Sequence, residues 1–316
     1  MRKANENQRP VVTVVTLLDF EVGTTRAWDD LRATLRGLAR QDFTGPAEFI
    51  FLEDESLKDE VPSDLTDILP GLQIAFTNKI LQYDMKSEAA ALGTGDIVVL
   101  LDSDCVPVPG WLRSLVETFH AHPEAGVVSG RTVYAGKTFL ERACGVLGRA
   151  YVERRTLRTE HISNNNAGFR REVLRKHPLP SEAGPFSSKL HADAIERDGW
   201  HLLFDPRASA THAFDGWEME RDIRQNMGYG FIKVRQINPE LPFGWLVQLH
   251  YASIPLYFVG RVIESWLRTT QFYRSYGLQW YEVPGVLGLA VGVHVMEVPG
   301  MITAFRGGTL AHTAYR

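Results

Sequence analysis

Five consecutive apolar residues, Ile97-Val98-Val99-Leu100-Leu101, run between Gly95-Asp96 and Asp102-Ser103-Asp104. A short apolar run bounded in this way reads as a fully buried strand, and strands of that kind sit inside α/β sheets with helices on both faces. The two carboxylates at its exit are one residue apart, so they share one face of extended chain and can reach a single ion. Hard oxygen ligands suit Mg²⁺ or Mn²⁺, which keep some waters and fill the rest of their shell from substrate phosphates. An Asp-x-Asp also occurs as a simple turn or helix cap after a strand. What surrounds this one decides between the two.

Up to about residue 240 the chain alternates apolar runs with amphipathic, charged segments, the pattern of a parallel sheet wrapped by helices. Strands are expected at 11–16, 48–52, 72–76, 96–101, 126–129 and 201–204. Helices are expected at 28–41, where Leu31, Leu35 and Leu38 share a face, and at 83–92, 109–120, 170–176 and 189–198. From Leu241 to Thr303 the character changes: Arg261, Glu264, Arg268, Arg274, Glu282 and Glu297 are its only acidic or basic residues apart from histidine. The expected organisation is therefore an α/β domain over 1–240 and an apolar helical region over 241–316. Of two long apolar stretches, 243–260 is aromatic-rich and 283–302 is long enough to cross a bilayer, although His294 and Glu297 are costly in lipid. If both crossed, Arg261, Arg268 and Arg274 would lie on the far side from the first domain, against the preference of basic residues for the cytosolic side. Helices lying in or re-entering the membrane interface fit better, with a purely soluble helical subdomain as the rival reading.

The net charge of −4 and the absence of a strongly basic stretch argue against nucleic-acid binding. Cys105 and Cys144 form no metal or redox motif and read as buried free thiols in a reducing compartment. The polar start, Met1 to Gln8, has no apolar core of a signal peptide, which places the first domain in the cytosol.

The block Thr94-Gly95-Asp96, Asp102-Ser103-Asp104 and Val106-Pro107-Val108-Pro109-Gly110-Trp111-Leu112, preceded by a strand ending in Glu53-Asp54-Glu55-Ser56, resembles family 2 glycosyltransferases of the GT-A fold. The resemblance covers about 11–212. It implies a mostly parallel sheet flanked by helices, a nucleotide-diphosphate sugar as donor, a divalent ion (Mn²⁺ or Mg²⁺) and inversion at the anomeric carbon. It also implies a glycan or lipid-linked acceptor and a place at the cytoplasmic side of the cell membrane. By the same resemblance Asp54 holds the nucleoside, Asp102 the sugar or ribose, and Asp104 the ion. His212, closing the run Asp205-Pro206-Arg207-Ala208-Ser209-Ala210-Thr211-His212, is a further metal ligand. Thr16 at a strand end and Lys86 at a helix start are donor-binding candidates. So is Asn166 of Ser163-Asn164-Asn165-Asn166, whose amide offers donors and an acceptor to sugar hydroxyls. Arg221 and Arg224, one helical turn apart, either meet anionic phosphates or form a solvated face.

The departure from the family lies at the catalytic base. Members carry Glu-Asp just before the helix that precedes a Gly-aromatic pair; counting back from Gly199-Trp200 finds Ser187-Ser188. A serine does not act alone as a general base. Glu182, His191 and Asp193 are the nearby alternatives. Otherwise the acceptor is acidic enough to need no base, or the protein is a non-catalytic nucleotide-sugar-binding scaffold. A sugar nucleotidyltransferase is a further alternative, but the acidic run Leu17 to Gly23 lacks the Gly-rich basic loop it needs.

Overall fold

A computed structural model describes residues 11–18, 25–79, 81–134, 136, 138–181 and 187–309. In chain order the elements are β1 (Val12–Leu17), α1 (Thr25–Ala39), β2 (Ala47–Asp54), α2 (Leu65–Ile68), β3 (Leu72–Thr77), α3 (Gln82–Glu88), β4 (Ile97–Asp102) and β5 (Cys105–Pro107). They continue with α4 (Trp111–Ala121), β6 (Ala125–Tyr134), α5 (Phe139–Arg149), β7 (Asn166–Arg170), α6 (Arg171–Lys176), α7 (Ser188–Arg197) and β8 (His201–His212). Three long helices, α8 (Trp217–Ile237), α9 (Ile254–Phe272) and α10 (Val283–Phe305), end the described chain.

The strands form one eight-stranded sheet, ordered β3-β2-β1-β4-β7-β6-β8-β5. The first four are parallel, β7 runs antiparallel between β4 and β6, β6 and β8 are parallel, and β5 closes the edge antiparallel to β8. This is the mixed sheet of the GT-A fold. Every residue of β4 is buried, as its unbroken apolar run requires, with Leu31, Leu35, Trp111 and Phe119 on one side and Met85, Phe169 and Ile195 on the other.

The expected strand over 201–204 extends to His212. Local sequence breaks it at Asp205-Pro206-Arg207, but a shift of pairing between Gly130 and Arg131 of β6 absorbs the irregularity, and the strand resumes opposite Arg131–Tyr134. That extension carries His212 to the strand end. The Pro109-Gly110-Trp111 turn is equally specific: Gly110 sits at φ +83°, the left-handed region. It starts α4 with Trp111 fully buried and its indole Nε1 donating to Asn166 Oδ1 at 2.7 Å.

The helices after β8 do not stand apart from the sheet domain. Ala143, Val146 and Leu147 of α5 share a core with Phe272, Tyr276, Val286 and Val293. α8, which lies before residue 240, packs along α10 so closely that a Cβ on Gly228 would strike the backbone of Glu297, and one on Gly300 that of Gln225. One helix, over Trp280–Phe305, is long and apolar enough to cross a membrane.

Candidate active site

β1, β2 and β4 end on the same side of the sheet, where ligands of open α/β sheets bind. The carboxylates at the exit of β4 go to different partners. Asp102 is buried and its Oδ1 lies 2.7 Å from the buried Nζ of Lys86, which α3 carries over the strand end. Asp104 faces His212, with Oδ2 and Nε2 2.8 Å apart. This second pairing follows from register, because Cys105 of β5 lies opposite His212 of β8.

The Asp104–His212 pair has the donor set of a divalent-ion site. Burial opposes the charge on Asp104, but the imidazole beside it, by charge and hydrogen bond, holds the carboxyl down at about 2. The same contact raises His212 against its own burial. His212 Nδ1 bonds the Ala213 carbonyl oxygen, which leaves Nε2 aimed at Asp104 and at any ion held there. The Cys105 thiol is close enough to join a three-residue cluster, yet burial and the neighbouring Asp104 and Asp102 push its pKa up, so it stays a protonated, poor ligand. Carboxylate oxygen plus imidazole nitrogen fits Mn²⁺ or Mg²⁺ with the remaining positions left to phosphate and water. Asp30, which the sequence reading passed over, also lies within electrostatic reach of Asp104. Burial, and next the Asp104 charge, raise its pKa.

A cavity of about 770 Å³ opens from this strand end. Lys86, Asp102, Asn164, Asn165 and Ser188 line its inner wall; Phe243, Trp245, Leu246, Leu256 and Tyr257 line the outer one. His161 stands between them, its ring edge-on to Tyr151 at 5.8 Å, and burial together with Arg268, Lys189 and Arg154 keeps it a neutral imidazole. Its place beside α7 is set by Lys189 Nζ, which donates to the Glu160 carbonyl at 3.1 Å. Sequence reading missed His161 because nothing local separates it from an ordinary loop histidine.

The other expected positions lie as follows. Asn166 does not face the cavity: it is fully buried, its Oδ1 accepts from Trp111, and its Nδ2 donates to the carbonyls of Arg131 and Ala208. Asn164 and Asn165 line the cavity instead. Asn164 Nδ2 donates to Tyr83 Oη at 2.8 Å, and its buried Oδ1 has no partner. His191 packs flat against Phe169 with Nε2 2.7 Å from the His177 carbonyl, and Asp193 is bound by Arg197 and Asn238. Neither lines the cavity, so neither is placed as a base. Glu182 lies outside the described residues. Thr16 is buried within β1 between Phe51 and Leu101, and Asp54 accepts from Ser56 N as the cap of a short 3₁₀ turn. Arg224 is neither a solvated residue nor an unpaired phosphate ligand: it is buried and ion-paired to Glu220 at 2.7 Å.

A strand order of this kind, with an Asp-x-Asp at the exit of a central parallel strand and a histidine facing it from the neighbouring edge, defines a GT-A protein. The chain belongs to glycosyl transferase family 2, whose profile matches residues 22–177. Among curated proteins it is 30% identical over 109 residues to a glucosyl-dolichyl phosphate glucuronosyltransferase of Haloferax volcanii. That alignment covers 34% of this chain and spans 34% of the relative's length. Among solved structures, mannosyltransferase PcManGT from Pyrobaculum calidifontis, in complex with GDP-Man and Mn²⁺, superposes with a TM-score of 0.60 at 16% identity, over 96% of this chain and 89% of that one. S. aureus TarS 1–349 gives a TM-score of 0.47 at 12% identity, over 94% and 90%.

Proposed function

We propose that this transferase moves a sugar, with inversion, from a nucleotide-diphosphate donor to a lipid-linked acceptor at the cytoplasmic membrane surface, using Mn²⁺ or Mg²⁺. The observation that carries the reading is the single cavity joining the Asp102–Lys86 strand end to an apolar rim of exposed aromatics. Phe243 is 68% exposed and Trp245 60%, values that suit an amphipathic surface resting on lipid headgroups better than a water-facing helix bundle. The H. volcanii relative's name, a glucosyl-dolichyl phosphate glucuronosyltransferase, and the GDP-Man and Mn²⁺ of the P. calidifontis complex support the same direction. A surface glycan remains the other acceptor class, and the rim favours the lipid.

Asp104 and His212 would hold the ion, which when bound supplies Lewis-acid stabilisation of the departing diphosphate. Lys86, fixed by Asp102, is held in place with little side-chain freedom left to lose when a donor binds. Asn164 presents an amide oxygen, and its amide nitrogen is already engaged by Tyr83, so that oxygen is set to accept from a sugar hydroxyl. In a single displacement the acceptor oxygen bonds to the anomeric carbon as the bond to the diphosphate breaks, and the acceptor proton leaves. Ser187 and Ser188 stand where family members carry the carboxylate that takes it. This favours a second reading, a nucleotide-sugar-binding scaffold.

One experiment separates them. Mn²⁺-dependent release of nucleoside diphosphate from a panel of donor sugars is measured on the full chain in detergent, with and without a dolichyl-phosphate-linked sugar, beside Asp104→Ala. Turnover that needs the metal and is lost in the variant supports the transferase. Donor binding with no turnover under any condition supports the scaffold.

A further inference from the structure

We infer that Arg149, the last residue of α5, is a phosphate-binding residue of the cavity. This rests on the nucleotide-sugar reading above and names one more group in that site. Arg149 lines the cavity between Tyr134 and Tyr151, with its guanidinium 5.5 Å from the Tyr134 ring centre. Its Nε is buried without a hydrogen-bond partner, and among the described residues no carboxylate forms an ion pair with it.

The other cations of the same cavity show how unusual this is. Arg224 is held by Glu220 at 2.7 Å, Arg261 by Glu297 at 2.9 Å and Arg268 by Glu264 at 2.6 Å. Arg235 and Lys189 donate to backbone carbonyls, and Lys86 is held by Asp102. Arg149 alone of these keeps its whole fork of donors for something the chain does not supply. A buried donor left unsatisfied is costly, and a guanidinium more so, which makes a vacant fork inside a cavity evidence of an anionic ligand.

Its surroundings say which anion. Arg149 acts electrostatically on Asp104, His212 and Tyr151, and Tyr151 in turn feels Lys86 and Asp102. It therefore shares the cavity with Lys86 and Asp102 and lies within electrostatic reach of the Asp104–His212 pair. There, five N–H groups in one plane match the oxygens of a phosphate, bound bidentately. Two ligands bring a phosphate to that place: the diphosphate of the sugar nucleotide and the phosphate of a lipid-linked acceptor.

The test compares wild type, Arg149→Gln and Arg149→Lys as full chains in detergent by isothermal titration. One arm uses GDP and UDP with Mn²⁺ against guanosine and uridine; the other uses farnesyl phosphate against farnesol. The expected result is a loss of about tenfold or more for one phosphate ligand in Arg149→Gln, with its phosphate-free counterpart unchanged and part of the loss recovered in Arg149→Lys. Loss in the first arm assigns Arg149 to the donor, and loss in the second to the acceptor. Equal binding by wild type and Arg149→Gln in both arms overturns the assignment, as does an equal loss for nucleoside and nucleoside diphosphate. If Arg149→Gln does not fold, unchanged phosphate binding in Arg149→Lys, which keeps the charge without the fork, overturns it too. A wild type that binds neither class of phosphate overturns the nucleotide-sugar reading itself.

Discussion

The cavity has two walls built on different principles. The strand-end wall is polar, and Lys86 and Asp102 on it are matched to each other, as Asp104 and His212 are at the adjoining strand exit. The helical wall buries its own ion pairs, Arg224–Glu220 and Arg261–Glu297, but turns aromatic and aliphatic side chains outward. The difference teaches where each wall meets its ligand. Prearranged charge on the first can be used without reorganisation by a charged ligand that arrives from water. Apolar exposure on the second has no use in water and suits a ligand or surface that is itself apolar.

The comparison is tested most sharply at the Asp104–His212 pair. Asp104→Ala should lower Mn²⁺-dependent turnover by about 10³-fold, roughly 4 kcal/mol of lost transition-state stabilisation, while the same change in a helical-wall residue such as Trp245 leaves the metal dependence intact. Titrating activity against Mn²⁺ reads this directly.

The prearrangement of the first wall has a cost that Lys86→Met exposes. Removing one partner of a buried ion pair leaves the other charge unmatched, so the variant should lose about 3–5 kcal/mol in urea unfolding. A loss below about 1 kcal/mol would mean that solvent reaches Asp102 and that the wall is not preorganised.

Part of this architecture is legible in the sequence and part is not, for identifiable reasons. Asp102, Asp104 and the strand that carries them could be read because a doubly buried strand has a local signature and its exit is a fixed place. His212 could be read only from family resemblance, since its meeting with Asp104 depends on a bulge that lets β8 run past Pro206. Asn166 misled because three identical amides in a row look alike, and their roles are divided by Trp111, 55 residues away. Arg149 left no trace, as it ends an ordinary amphipathic helix and matters only for the partners it lacks.

The hidden polar groups beneath the first wall also make it pH-sensitive. Burial pushes His191 down to about 4, against the bond it donates to the His177 carbonyl. Between the unfolded value near 6.5 and that figure, the unfolded chain binds a proton the folded chain refuses, so stability falls as pH drops through this window. The loss approaches about 3 kcal/mol at pH 4, and about 2 kcal/mol is already gone at pH 5. His161 titrates in the same direction, so His191→Gln should flatten only its own share of the slope. Urea midpoints at pH 7 and pH 5 check this, and a parallel slope in the variant would show that His191 is not the group responsible.

Inside the helical wall the contacts are steric. A methyl added at Gly228 meets the backbone of Glu297, not a flexible side chain, so Gly228→Ala should cost about 1–3 kcal/mol by forcing α8 from α10. Because α8 carries Arg235 and the Phe231 ring on which it stacks, the cavity's outer half should loosen with it. A variant as stable as wild type would mean that the two helices slide without strain.

The smallest effect in solution belongs to Trp280, an exposed aromatic just before α10. Trp280→Ser should leave the urea midpoint within about 0.5 kcal/mol of wild type, since a side chain 74% exposed packs against little. Its effect should emerge only against lipid. Burying an indole at the interface contributes on the order of 1–2 kcal/mol, so co-sedimentation with phosphatidylglycerol-containing vesicles should weaken by about tenfold in Trp280→Ser and further with Trp245→Ser. If both variants sediment like wild type, the outward aromatics are not what meets the membrane, and the contrast between the two walls reduces to the matched charges of the first.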